Sequence, residues 1–231
     1  MEQHVFIFLD ALLSGIGFGE FAHKYSHLVH TWFVMLILIA CSLIFVRSVK
    51  LLPEKRQLFF EILIEKLEDF MVDITGPEGM FFFPFIATLF IFILAANLLG
   101  LIPGFESPTA NINTTLSMAI CTFVYTHIIG VRFHGIKYIK HFLGPVWWLI
   151  PLYMPIEIIS HFARILSLSV RLFGNIFGKE MILTILFMLA GLYLAPLPIM
   201  FLGLLVSFIQ ALIFTVLAIL YFVGAMEEAH A

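Results

Sequence analysis

The sequence predicts an all-α integral membrane protein of about five transmembrane helices plus one interfacial amphipathic helix, with the last two spans long and tilted as a hairpin. Three observations carry this expectation. Hydrophobic residues fill 62% of the 231 positions and charged residues 12%, about half the charged fraction of a soluble domain. Long apolar runs recur along the chain, each able to supply the roughly 20 residues that a bilayer crossing needs. One further run is amphipathic, with carboxylates at Glu61, Glu65, Asp69 and Asp73. Such a chain faces lipid with its apolar surface and closes its backbone hydrogen bonds inside helices.

The whole chain, residues 1–231, is expected to be a single membrane domain. Residues 1–27 are mixed in character, and Gly15, Gly17 and Gly19 disfavour a long helix there. The opening Met1-Glu2-Gln3-His4 has no basic stretch before the apolar residues, so insertion is expected to rely on the first span rather than on a cleaved signal. That span is placed at residues 30–47, with its core from Trp32 to Val46. Pro53 ends it. Over residues 54–73, Phe60, Leu63, Ile64, Leu67, Phe70 and Met71 share one face and the four carboxylates the other, the pattern of a helix lying in the interface. The acidic face is read as solvated; a docking surface for a basic partner is the sharper alternative.

After the turn Gly76-Pro77-Glu78-Gly79, span 2 is expected at 80–102, interrupted only by Asn97, and span 3 at 111–132. Asn111, Asn113, Thr114, Thr115 and Ser117 make the start of span 3 polar, which points to water or a partner at that end. Residues 132–150 read as a loop carrying Arg132, Lys137 and Lys140, with Gly144-Pro145 and a headgroup-level pair, Trp147-Trp148. Residues 151–193 are too long for one upright crossing, so span 4 is expected to be tilted or bent. Ala195-Pro196-Leu197-Pro198 turns the chain into span 5 at 199–223. Lys and Arg cluster on one side of this layout (Arg47, Lys50, Lys55, Arg56, Lys66, Arg132, Lys137, Lys140), with Lys24 opposite. The positive-inside rule then places the N-terminus outside and the C-terminus in the cytoplasm.

Span 4 carries the most informative residues. Glu157, Arg164 and Arg171 are spaced seven apart, so they share a helical face. Ser160, Ser167 and Asn175 lie beside them. Glu180 follows Arg171 by nine residues, about half a turn out of phase, and points the other way. An arginine at mid-membrane costs about 3 kcal/mol on insertion scales. It keeps its proton at physiological pH and cannot relay one by titrating. It can hold a nearby acid ionised. Glu157 is far along the stripe and Glu180 is on the opposite face, so the acid is expected from another chain. The bland alternative is a guanidinium that pins the helix through carbonyls or a side chain such as Gln210.

Gly174 and Gly178 sit beside Arg171 as a small-xxx-small pair, compatible with close helix packing inside the chain or with close approach of a partner. Gly178-Lys179 has only a superficial likeness to a phosphate-binding loop: Glu180 replaces the hydroxyl residue and no strand precedes it, so no nucleotide is expected to bind directly. On span 5, Gly203, Ser207, Gln210 and Tyr221 fall near one line, a packing stripe or a polar lining. His127 and His161 read as packing histidines. Cys41 and Cys121 lie in apolar runs and read as packed thiols. No metal-ligand spacing, cofactor motif or nucleophile–base pair is visible, and a net charge of -3 argues against nucleic acid.

The stretch Arg171-Leu172-Phe173-Gly174-Asn175 resembles subunit a of the F-type ATP synthase membrane (Fo) sector. So do Asn97 to Pro103, Asn111 to Ala119, Pro155-Ile156-Glu157 and Gln210 to Phe214, in the family's order. The resemblance implies a proton-translocating stator subunit with no catalysis of its own, within a complex that makes ATP. Two aqueous half-channels would load and unload the carboxylate on a rotating ring of small proteolipid c subunits, with peripheral stalk b subunits as further partners. It implies that Arg171 is the essential charge, with Asn175 and Gln210 beside it. Glu180 would then serve the outer half-channel and Glu157 the cytoplasmic one. Arg164, Ser160, Ser167, Ser207 and Tyr221 would support them. Some members carry a histidine where Gly203 stands and aspartates where Gly100 and Asn111 stand. The implied location is the bacterial cytoplasmic (inner) membrane rather than the mitochondrial one. A self-contained ion channel or secondary transporter is the alternative; the lack of an intrinsic acid opposite Arg171 weighs against it. A packing subunit without conduction and an intramembrane hydrolase are weaker readings.

Overall fold

The computed structural model describes residues 24–47, 55–135, 138, 150–190 and 196–227. Its helices are α1 (Ser26–Arg47), α2 (Lys55–Thr75), α3 (Phe83–Leu99), α4 (Ile112–His134), α5 (Ile150–Ala190) and α6 (Leu197–Glu227), with 3-10 turns at Pro77–Phe82 and Pro108–Ala110. No strand occurs among the described residues. Five stretches are long and apolar enough to cross a membrane: Ser26–Ile44, Pro77–Leu99, Ile112–His134, Tyr153–Leu189 and Leu197–Met226. The chain is an all-helical, multi-pass membrane protein. The expectations for residues 1–23, for Lys50 and Pro53, for Lys137, Lys140, Gly144-Pro145 and Trp147-Trp148, and for residues 191–195 and 228–231 lie outside the described residues.

Local chemistry accounts for the helix ends. Pro84 stands in the first turn of α3, where its missing N–H leaves no bond unmade. Asn111 caps α4, its side chain accepting from the Asn113 N–H at 2.9 Å. The polar start of α4 is therefore largely local. Ser117 bonds back to the Asn113 carbonyl at 2.7 Å, and Thr115 is buried against Ser169 at 3.0 Å. This corrects the expectation that these residues as a group face water or a partner; only Asn113 and Ser117 are exposed. Gly135 ends α4 at φ 58°, a left-handed conformation that favours glycine. Pro155 sits inside α5, close enough to its start to forfeit only one early backbone bond.

The core lies among α3, α4, α5 and α6. Ile86, Ile93, Leu172, Ile176, Phe214, Ile219 and Phe222 have no exposed surface. Phe85 stacks on Tyr125 with centroids 4.4 Å apart, joining α3 to α4. The His134 ring meets the Met226 carbonyl at 2.8 Å and ties the end of α4 to the last turn of α6. Helix α1 packs on α3 and the 108–110 turn, and presents Trp32, Leu36, Ile39, Leu43 and Ile44 outward. Helix α2 places its four carboxylates outward and buries Leu67 and Met71 against the core. Phe60, Ile64 and Phe70 remain exposed, so the apolar face is split between protein and the lipid side rather than packed throughout. Cys41 and Cys121 are exposed rather than packed.

Candidate functional site

Helix α5 is pinned to the bundle by Leu168, Leu172 and Ile176, each 3% exposed or less. The half-turn periodicity of the helix then forces Arg171 outward, and it is exposed. Its only hydrogen bond among the described residues is from Nη2 to Ser167 Oγ, at 3.4 Å, long for such a bond. No carboxylate meets it among them. Gln210 does not serve it: its Oε1 accepts from Asn175 Nδ2 at 2.7 Å, and it is 2% exposed. Asn175 thus bridges α5 to α6 one turn beyond the arginine. A methyl group placed on Gly174 or Gly178 would meet nothing within 4 Å. Among the described residues nothing crowds these positions, and they leave open space beside Arg171.

Glu180 lies on the inner side of the same helix. Its Oε1 accepts from the backbone N–H of Ser107 at 2.6 Å. Ser107 Oγ donates to the Ala96 carbonyl at 2.8 Å and pairs with Thr109 Oγ1 at 2.7 Å, and Thr109 Oγ1 donates to Asn97 Oδ1. Lys179 is buried here as well. Its Nζ donates to the Asn97 carbonyl at 3.1 Å and to Ser207 Oγ at 3.2 Å. Polar groups taken out of water are tolerable only when bonded in this way.

Two glycines make room for this cluster. A Cβ at Gly100 would lie 2.5 Å from Glu180 Oε1 and 2.6 Å from Ser107 Cβ. A Cβ at Gly203 would lie 3.0 Å from Lys179 Cδ and 2.8 Å from Leu101 Cδ2. The partner of Glu180 is therefore a loop amide, and the space beside Gly203 is taken by the lysine stem.

The other end of the stripe forms a second polar region. Glu157 Oε1 lies 3.2 Å from His161 Nε2. His161 and His127 face each other with ring centroids 5.2 Å apart, and His127 Nδ1 meets Tyr138 Oη at 2.9 Å. The exposed Arg164 has its guanidinium 5.6 Å from the Tyr221 ring centre. A small, partly open cleft between α4, α5 and α6 is lined by Thr122, Thr126, His161, Arg164 and Tyr221. Ser160 is half-buried nearby on the helix. No group of three or more His, Cys, Asp or Glu converges as metal ligands among the described residues.

The structure thus separates the expected residues into three sets. Arg171, Ser167 and Asn175 stand on an open face, with Gln210 buried behind Asn175. Glu180 and Ser207 share the buried cluster. Glu157, Ser160, Arg164 and Tyr221 lie towards the other end. Sequence reasoning missed Asn97, Ser107, Thr109 and Lys179 as one unit. Lys179 carried a usable signal: a cation inside a spanning helix is a functional candidate by the rule that singled out Arg171. The Ser107 contact had none, because it is made by backbone across 73 positions of sequence.

Fold and site define a multi-pass helical membrane subunit with ionisable side chains set within its spans. Residues 28–223 match the family model described as ATP synthase A chain. The chain is 55% identical to ATP synthase subunit a of Syntrophobacter fumaroxidans, covering 99% of this chain and 100% of that one. It is 54% identical to ATP synthase subunit a of Desulfosudis oleivorans, with the same coverage, and 48% identical to ATP synthase subunit a 2 of Syntrophotalea carbinolica, covering 98% and 99%. The chain belongs to the ATP synthase subunit a family, and so to the membrane part of an F-type ATP synthase.

Proposed function

We propose that this subunit passes protons to and from a rotating ring of proteolipid c subunits, with Arg171 as the fixed charge between two half-channels. The observation that carries this reading is the open face of α5. A guanidinium stands there without an acid among the described residues, beside two glycines that contact nothing. A mid-membrane arginine costs about 3 kcal/mol on insertion scales unless something meets it. A carboxylate on an approaching helix would meet that need and be held ionised by it. As the carboxylate passes, the permanent positive charge would also stop a proton from crossing directly between the two sides.

The two polar regions, one buried and one partly open, fit the two routes. Glu180 with Ser107, Thr109, Asn97, Lys179 and Ser207 would line the outer route. Glu157 with His161, and the cleft lined by Arg164 and Tyr221, would line the cytoplasmic one. The N-terminus would then be outside, the C-terminus cytoplasmic, and the membrane the bacterial inner membrane. Peripheral stalk b subunits would complete the stator. Each proton crossing yields about 2.3 kcal/mol per 100 mV, so several must pass for each ATP made.

The test is Arg171→Ala in the intact complex. Proton-driven ATP synthesis should be lost while the ring still copurifies. Synthesis at the normal rate would overturn the proposal.

A further inference from the structure

His30 is fully buried near the start of α1, in a helix otherwise devoted to apolar contacts. Its Nδ1 lies 2.9 Å from the Ser26 carbonyl and 3.3 Å from Ser26 Oγ. Ser26 Oγ donates in turn to Glu106 Oε2 at 2.9 Å. With the proton on Nδ1, the imidazole donates to the Ser26 carbonyl at 2.9 Å and, in a longer contact at 3.3 Å, towards Ser26 Oγ, whose own proton goes to Glu106. The other nitrogen, Nε2, is buried and has no hydrogen-bond partner among the described residues. Glu106 is followed by Ser107, whose N–H holds Glu180.

An anchoring role alone does not account for this arrangement. Phe105 already fastens the loop, stacking on Phe33 with centroids 5.8 Å apart and meeting His30 edge-on at 6.3 Å. The buried Nε2 is left unmatched among the described residues, and such groups are uncommon enough to call for a cause. Imidazole differs from an amide in that it takes up and releases protons near neutral pH.

We infer that His30, Ser26 and Glu106 form a proton-relay chain from the outer side that ends on Glu106, one residue before the Ser107 amide that holds Glu180. A proton from outer water adds to the lone pair on Nε2. The proton on Nδ1 passes to Ser26 Oγ, and the hydroxyl proton of Ser26 passes to Glu106. The imidazole is neutral before and after, its proton moved from one nitrogen to the other, and the carboxylate ends protonated. Reorientation of the hydroxyl and ring resets the chain. The other titratable groups on its own helix are His27, Cys41 and Arg47, with Lys24 and Tyr25 just before it. From the loop, Glu106 faces the chain, with Glu180 and Lys179 of α5 behind it. Helix α3 and the 108–110 turn, which pack on α1, contribute no titratable residue.

This inference rests on the reading of the subunit as a proton path, and the experiment separates the two. Intact complexes carrying His30→Asn, Glu106→Gln or Arg171→Ala are reconstituted in vesicles. ATP synthesis is measured against outer pH at constant driving force. His30→Asn keeps the bond to Ser26 but cannot exchange a proton. Its rate should fall about tenfold or more, positioned proton-transfer groups contributing ~10²–10⁴, and its dependence on outer pH should flatten. Glu106→Gln leaves the buried imidazole in place and should do the same. Wild-type rates in both variants, or lower rates with an unchanged outer-pH profile, overturn the relay while Arg171→Ala stays inactive. Full activity in Arg171→Ala instead overturns the underlying reading.

Discussion

Arg171 and Glu180 stand nine residues apart on one helix, in opposite surroundings. The arginine projects from α5 into open space, holds only a long bond to Ser167, and is flanked by glycines that touch nothing. The glutamate turns inward and is held at 2.6 Å by a loop amide, in a cluster that also buries Lys179. One site is complete within the chain and the other is not. Among the described residues the arginine has no acid, and under the proposed function a partner's carboxylate would complete it. The complete site shows what the fold does when it must satisfy a charge alone: it recruits backbone and hydroxyl groups from α3, the 100–109 loop and α6.

The contrast can be broken most severely at the arginine. Arg171→Ala should lower proton-driven ATP synthesis by about 100-fold or more, as loss of a preorganised electrostatic group does, without loss of the assembled complex. Gly174→Leu sharpens the same point. A Cβ there meets nothing among the described residues, so the subunit should accumulate in the membrane with a normal proteolysis pattern, its stability within about 0.5 kcal/mol. Ring copurification and ATP synthesis should nevertheless fail; a normally coupled Gly174→Leu complex would show that this face has no close partner.

On the inner side the effects are expected to be smaller. Glu180→Gln keeps an acceptor for the Ser107 N–H but cannot carry a proton. Coupled transport in vesicles should slow by about tenfold to 100-fold, and an unchanged rate would remove Glu180 from the path. Gly100→Ala should act by steric force alone. Its methyl group would crowd Glu180 Oε1 and Ser107, costing about 1–3 kcal/mol as overpacking does. It should lower the thermal midpoint of the complex and reduce transport less than Glu180→Gln.

The difference between the two faces also divides what could be read from the chain by itself. Helix positions and the outward splay of Arg171 from Glu180 follow from local rules: apolar run length, proline punctuation and the 100° step of a helix. The carboxylate face of α2 followed from the same periodicity. Those rules are blind to contacts between distant segments. They gave Gly174 and Gly178 two explanations, and only the packing of α5 showed that a methyl group at either would meet nothing among the described residues. They left Gln210 as a possible partner for Arg171, where the fold commits it to Asn175. They assigned the polar start of α4 as a group to water or a partner, where Asn111 caps the helix and Thr115 is buried against Ser169.

What the sequence by itself determined about this protein is a set of spans, an unaffordable charge and the family resemblance its motifs carry. Only the tertiary structure decided which polar residues meet. Asn97, Ser107, Lys179, Glu180 and Ser207 come from four segments, and the serine holds the glutamate through an amide that every residue except proline possesses. Side-chain identity encodes helix faces; it does not encode which loop backbone a distant carboxylate reaches once those helices pack.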